Sequence, residues 1–338
     1  MVNRRKIFLR VLETWMHTVV VTLVMTVVML IVVFLSLRFG GSRGVLPILF
    51  GGIGFICASF VFCELIAKAM LSAERADPQK YPLFEECMEE LHQTRWIFPP
   101  WMFHPRLYIV HMPKDLPNAA AFGWGILGQC AIGITESIYV LMTTKGIDEH
   151  ASAETLVSTL SEPECELFLN GRAVADISHE EILLYLRKRR LKAVLGHETG
   201  HIRSKDVGLM TVVTLITGGC EQLSKLFTQG KTSLGRGPMA MLIGSILKMV
   251  AKYIIPIGRN AISQEREYGA DALSALYMNT PDPMIDALNL LTEEVHRLRL
   301  LDAEDETEDG REKSVFDELF INHPVTPKRV GALMSYEL

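Results

Sequence analysis

Residues 194–206 read VLGHETGHIRSKD and carry the pattern H-E-x-x-H as His197, Glu198 and His201. Histidines four apart on a helix share a face, one turn apart, so both imidazoles can reach one ion. Neutral imidazole nitrogen suits Zn²⁺, and the glutamate beside the first histidine can take a proton from a water at the ion. The pattern needs a helix beneath it. Ser178-His179-Glu180-Glu181 reads as a helix start, with Ser178 as N-cap and Glu181 as its capping-box partner. The helix predicted from there is EEILLYLRKRRLKAVLGHETGHI, with the motif near its C-terminal end. Its basic cluster (Arg187, Lys188, Arg189, Arg190 and Lys192) reads as a solvated face, with contact to anionic lipid as the alternative.

A tetrahedral catalytic zinc takes three protein ligands and keeps one position for water. H-E-x-x-H is not followed here by x-x-G-x-x-H, so no third histidine lies close by. Downstream, ISQEREYGADALSALY (262–277) reads as a second helix bearing Glu265, Glu267 and Asp271. Glu267 and Asp271 are four apart and share a face. One can bind the metal while the other orients a ligating histidine. Gly269, Ala270 and Ala272 are small enough to let another helix approach. Spacing alone does not separate Glu265 from Glu267.

The surroundings are apolar. Of 338 residues, 49% are hydrophobic, and the mean hydropathy is +0.22. The excess is concentrated. Thr14–Leu37 runs 24 residues without an acidic, lysine or arginine side chain, and Gly44–Cys63 runs another 20. A helix of 24 residues spans about 36 Å, enough for a bilayer core of ~30 Å. Only RFGGSR separates the two runs, so they read as a transmembrane hairpin. The first is too long for a signal-peptide h-region and has no A-x-A-like cleavage site after it, which predicts an uncleaved anchor. Lysine and arginine flank the hairpin on both sides (Arg4, Arg5, Lys6 and Arg10 before, Lys68, Arg75 and Lys80 after). The short connector is the least basic part, which places both flanks and the following domain in the cytoplasm.

The net charge of −5 and the lack of a basic stripe interleaved with aromatics exclude a nucleic-acid partner. The six cysteines (57, 63, 87, 130, 165 and 220) have no C-x-x-C spacing and read as free thiols. The organisation expected is a hairpin at 1–67, with spans about 14–37 and 44–63, and a first catalytic part at 68–206. A marginal apolar pair follows at 207–258, then a second catalytic part at 259–338. Lys248 and Lys252 make the apolar pair marginal, since a lysine at mid-membrane costs about 2.5–3.5 kcal/mol. Its crossings must be even in number, zero or two. RLYIV (106–110) reads as a strand, and CAIGITESIYVLM (130–142) as a second extended run. Residues 143–177 are weakly patterned and read as an insertion. DAEDETEDGREK (302–313) reads as a solvated loop.

VLGHETGHIRSKD, EREYGAD and INHPVTPKR together resemble the HtpX-type membrane metallopeptidases, relatives of the CAAX prenyl proteases. The resemblance covers most of the chain. It implies a predominantly helical α+β, gluzincin-like fold with a small sheet whose edge strand receives substrate. It implies one Zn²⁺ per chain, held by His197, His201 and Glu267, with Glu198 as the general base. Asp271 closes the family's E-x-x-x-D, and Asp206 matches its H-E-x-x-H-x-x-x-x-D; both would support the ligands from behind. His323 and Arg329 match a His-Pro…Arg element and would steady the oxyanion. PNAAAFG (117–123) resembles P-N-A-F-A-x-G, implying substrate contact at Asn118, Ala119 and Ala120. This chain departs from that pattern with Ala120 where phenylalanine is usual and Phe122 two places on. The function implied is proteolysis of membrane polypeptides in quality control or stress response, at the bacterial inner membrane, with the active site facing the cytoplasm and lipid bilayer alongside. A CAAX-type prenyl-protein protease and an inactive membrane scaffold are the alternatives.

Overall fold

The computed structural model describes residues 2–14, 72–93, 105–111, 116–123, 130–204, 224–229, 237–249, 255–305 and 326–336, with positions 16, 19, 23, 34, 221 and 252. A helix at residues 4–14 opens the chain. In order there follow β1 (Glu74–Arg75), α1 (Pro82–Gln93), β2 (Arg106–Val110), β3 (Ala119–Gly123), β4 (Cys130–Thr135) and α2 (Glu136–Thr144). Then come α3 (Ala153–Val157), α4 (Glu162–Leu169), α5 (His179–Arg203), α6 (Pro238–Met249), α7 (Ile255–Met278), α8 (Asp282–Asp305) and α9 (Thr326–Met334). Among the described residues the architecture is mostly helical around one four-stranded sheet, the α+β class that the resemblance implies.

The sheet has the order β1-β2-β4-β3. β2 and β4 are parallel, and β1 and β3 run antiparallel to their neighbours. β4 is buried along its whole length, as an apolar strand covered on both faces must be. One face carries the main core: Ile132 and Ile134 of β4 meet Phe84 and Leu91 of α1, Ile138 and Met142 of α2, Leu191 and Leu195 of α5, and Leu273 of α7. α5 therefore runs through the middle of the molecule, and α7 packs along it more extensively than any other helix. Burial pushes the Cys87 thiol in this core up to about 12, which keeps it a neutral thiol.

Four sequence expectations change here. The run 130–142 is not extended throughout. Thr135 ends β4 and caps α2, its hydroxyl accepting from the Ile138 amide. Ser178 caps α5 as read, accepting from the Glu181 amide at 3.2 Å, but the Glu181 carboxylate pairs with Arg172 at 2.7 Å. Residues 302–305 continue α8 rather than forming loop, and 306–313 lie outside the described residues. The basic cluster of α5 is neither a solvated face nor a lipid contact. Arg189 is 7% exposed and bonds Glu164 and Asp286, Arg190 bonds Asp286, and Lys188 and Lys192 bond Glu90. A charge run on a central helix finds partners on every side, since burial without them would be costly.

Residues 143–177 fold into short capped helices. Ser152 and Ser161 each accept from an amide three residues on, which starts helices whose own periodicity is weak. Leu156, Val157 and Leu160 form a second core with Ile182 and Leu186 of α5. Most of the two apolar runs at 14–37 and 44–63, and most of 207–236, lie outside the described residues. Among those described, no helix is long and apolar enough to cross a membrane.

Candidate active site

α5 and α7 cross where their side chains are smallest. A Cβ added to Gly200 would sit 3.0 Å from the Ala270 Cα, and one at Gly196 would sit 3.2 Å from the Tyr277 ring. The Ser274 hydroxyl donates to the Ala193 carbonyl at 2.6 Å across the same seam. This close approach lets carboxylates on α7 reach histidines on α5.

Glu267 reaches both of them. Its two oxygens lie 3.5 Å from His197 Nε2 and 3.4 Å from His201 Nε2. The two Nε2 atoms are 3.1 Å apart. All three residues are buried or nearly so. Glu265, which spacing left open, turns away and pairs with Arg10 at 2.8 Å. Ligands at 2.0–2.1 Å on a tetrahedral ion are ~3.3 Å from one another. Each separation is close to that spacing, though the two histidines face different oxygens of Glu267, and one ligand atom from each residue lies within 4.8 Å of the others, so two imidazoles and a carboxylate fit Zn²⁺ in donor type and approximate spacing.

Behind the histidines lies an ionic layer. His197 Nδ1 is 2.9 Å from Asp271 Oδ1, which favours the tautomer with the proton on Nδ1 and leaves Nε2 as the lone-pair donor. Asp271 is fully buried and accepts from Arg329 Nε at 2.8 Å and Nη2 at 2.6 Å. Arg329 Nη1 is also 3.2 Å from Glu267 Oε2. Burial alone would raise the Asp271 carboxyl, but the Arg329 charge and hydrogen bonds outweigh it and hold Asp271 below its ordinary value. Burial alone would lower His197, but its contacts to Asp271 and Glu267 raise it. The Arg329 guanidinium, opposed by burial and favoured by Asp271 and Glu267, is driven further above its ordinary range.

Glu198 is buried at 7% exposure on the same helix turn as His197, close enough to Arg329 for their charges to interact. β3 lies against α5 and pairs only with β4 among the described strands, so it forms one edge of the sheet. Asn118 anchors its start: its carbonyl accepts from the Thr135 amide at 2.9 Å, and its amide donates to the Thr135 hydroxyl at 3.0 Å. Ala119 packs toward the main core, and Ala120 toward Tyr108 and Ala131 on the other face. Asp206 and His323 lie outside the described residues. Sequence reading missed Arg10, Thr14 and Ser274 at this site, because their partners are 255, 251 and 81 residues away. No local pattern could have found them.

The model described as Peptidase family M48 matches residues 102–337. A relative named Protease HtpX homolog, from Caldanaerobacter subterraneus subsp. tengcongensis, is 30% identical over 53% of this chain. The alignment spans 65% of that relative, just under two thirds of its length. Relatives of the same name from Polynucleobacter necessarius subsp. necessarius and Burkholderia cenocepacia are 24% and 23% identical. They align over 87% and 90% of this chain, and over 87% and 91% of their own lengths. No solved structure matches the chain.

Proposed function

The chain belongs to peptidase family M48 and is of HtpX type, and on that premise we propose that it is a zinc-dependent endopeptidase of the bacterial cytoplasmic membrane. Membership makes it a protease with polypeptide substrates. The observation that carries the finer reading is the His197–His201–Glu267 cluster, in which the two Nε2 atoms lie 3.1 Å apart and each faces one Glu267 oxygen at 3.4–3.5 Å.

His197, His201 and Glu267 would hold a zinc ion there, which when bound would supply Lewis acidity at the scissile carbonyl and lower the pKa of water. The chain's own residues do the rest. Substrate lies extended along the edge of β3, held by main-chain hydrogen bonds that tolerate many sequences. Glu198 takes a proton from the attacking water and returns it to the leaving amine. Asp271 fixes the tautomer of His197, and Arg329 holds Asp271 and Glu267 in place. The family pattern assigns Arg329 to the oxyanion. Its hydrogen bonds to Asp271 support a positioning role instead, and leave oxyanion stabilisation to His323.

The uncharged runs at 14–37 and 44–63, with lysine and arginine on both outer flanks, support anchoring with the active site on the cytoplasmic side. Substrates there are membrane proteins at their cytoplasmic ends, which suits quality control and the stress response. Purified protein in detergent should contain about one zinc per chain and cleave casein. A chelator should abolish cleavage, and added zinc should restore it. Full activity in metal-free protein would end this reading.

A further inference from the structure

The helix at 4–14 reads from sequence as the basic lead-in to a membrane anchor. Its inner face is instead built into the site. Thr14 is 3% exposed, and its hydroxyl lies 3.0 Å from the Arg10 carbonyl and 3.3 Å from the Glu265 carbonyl of α7. A Cβ added to Gly269 would lie 3.1 Å from both Cγ2 and Oγ1 of Thr14, so only glycine lets the helices meet without displacement. Arg10 Nη2 donates to Glu265 at 2.8 Å, and the guanidinium lies 4.9 Å over the Tyr268 ring. Further back, Val2 and Ile7 share a core with Ala272 and Ala275 of α7 and with Leu333 of α9. The Asn3 amide donates to the Tyr336 carbonyl at 2.7 Å. Glu265 and Gly269 flank Glu267 at two residues on either side, and α9 carries Arg329.

We propose that residues 2–14 are a positioning element of the metal centre, with Thr14 and Arg10 holding α7 in the rotation that aims Glu267 at His197 and His201. The proposal rests on reading those three residues as metal ligands. A side chain on an α-helix ends about 5–6 Å from the axis. Rotating α7 by about 10° would carry the carboxylate by about 1 Å, several times the ~0.2 Å tolerance of a metal–ligand distance. The α5 crossing at Gly200 restrains α7 along one side, and the N-terminal helix restrains the neighbouring side. The first apolar run begins at Thr14, the same residue that meets Gly269 of α7.

The test uses the full chain in detergent, with Co²⁺ as the probe. Affinity and the visible absorption of bound Co²⁺ are read at a temperature where every variant stays folded. Gly269→Ala should weaken Co²⁺ binding about tenfold, in the range seen when ligand-supporting residues are changed. Thr14→Ala combined with Gly269→Ala should recover most of that loss. Arg10→Glu should weaken binding about fivefold, as loss of a partly exposed ion pair allows, and combining it with Glu265→Arg should restore it. Leu12→Ser, on the exposed far face of the helix at 45% exposure, should change nothing. If Gly269→Ala does not fold, the charge pair carries the test alone. The proposal fails if Gly269→Ala and Arg10→Glu both bind Co²⁺ like wild type, or if neither double variant outperforms its weaker single. A wild-type chain that binds no Co²⁺ overturns the metal-centre reading itself, and this proposal with it.

Discussion

Glu198, Glu267 and Arg329 sit within one small volume but should fail differently when changed. Glu198→Gln removes the proton acceptor and leaves the ligand triangle intact. Metal content should stay near one per chain, while casein cleavage falls by on the order of 10²–10⁴, the usual worth of a general base. A variant that cleaves at the wild-type rate removes Glu198 from the mechanism. Glu267→Ala removes a corner of the triangle and should empty the site of metal on dialysis. Glu265→Ala should lower metal affinity only severalfold, because Glu265 faces Arg10 and not the histidines. Arg329→Gln leaves Asp271 buried without its counter-charge, at a cost of about 3–5 kcal/mol near neutral pH. The sign with pH follows from linkage. Asp271 is depressed below its ordinary 3.8 in the folded chain, so its pairing stabilises above that value and is lost as pH falls through the folded pKa. In metal-free protein, the stability gap between wild type and Arg329→Gln, measured by urea unfolding, should therefore narrow as pH falls, beginning above the ordinary carboxyl range because burial without Arg329 raises the variant's Asp271. A gap that widens on acidification would mean that Arg329 stabilises through something other than the Asp271 carboxylate.

At the scale of elements, α5 is held from three directions. Arg189 ties it to Glu164 of α4 and Asp286 of α8, and Gly196 and Gly200 admit α7. Glu164 is fully buried, so Arg189→Ala strands a charge. Unfolding stability should drop by about 3–5 kcal/mol, while Arg187→Ala, a more exposed pair, should cost no more than about 1 kcal/mol. Gly200→Ala forces a methyl against the Ala270 backbone. It should cost about 1–3 kcal/mol and also weaken metal binding, because the helices that separate carry opposite sides of the site. Equal metal affinity in that variant would show that the crossing can open without moving Glu267. Residues 143–177 belong to this account, since Glu164 bonds Arg189 of α5 itself and Ser161 bonds Asp282 at the start of α8.

Across the whole molecule, the N-terminal helix and α9 meet beside the site. Val2 and Ile7 share a core with Leu333 and Tyr336, so the N-terminal helix and α9 close the fold around α7. α6 buries Ala240, Ile243 and Leu247 and exposes Met241, Leu242, Ile246 and Met249. An apolar face of that kind suits lipid. The chain should therefore remain with membranes after alkaline carbonate washing. If 207–258 crosses twice, a cysteine introduced at Ser233 should react with a reagent confined to the outside. Protection there with labelling from the cytoplasmic side would mean that the pair lies on the membrane without crossing.

What the sequence determined by itself is what helix periodicity encodes locally: His197, Glu198 and His201 on one face, Ser178 as the cap that starts their helix, Glu267 and Asp271 one turn apart, and the short strand at 106–110. Those depend on neighbours within four residues, so they can be read before the fold is known. Only the tertiary structure decided which of Glu265 and Glu267 faces the histidines, because that depends on how α7 is rotated against α5. It also decided that the basic run of α5 is buried among partners, that Arg329 is bonded to Asp271, and that Thr14 abuts Gly269. Each of those pairs lies at least 25 residues apart in the chain. Their energies depend on burial, and burial exists only once the helices have packed.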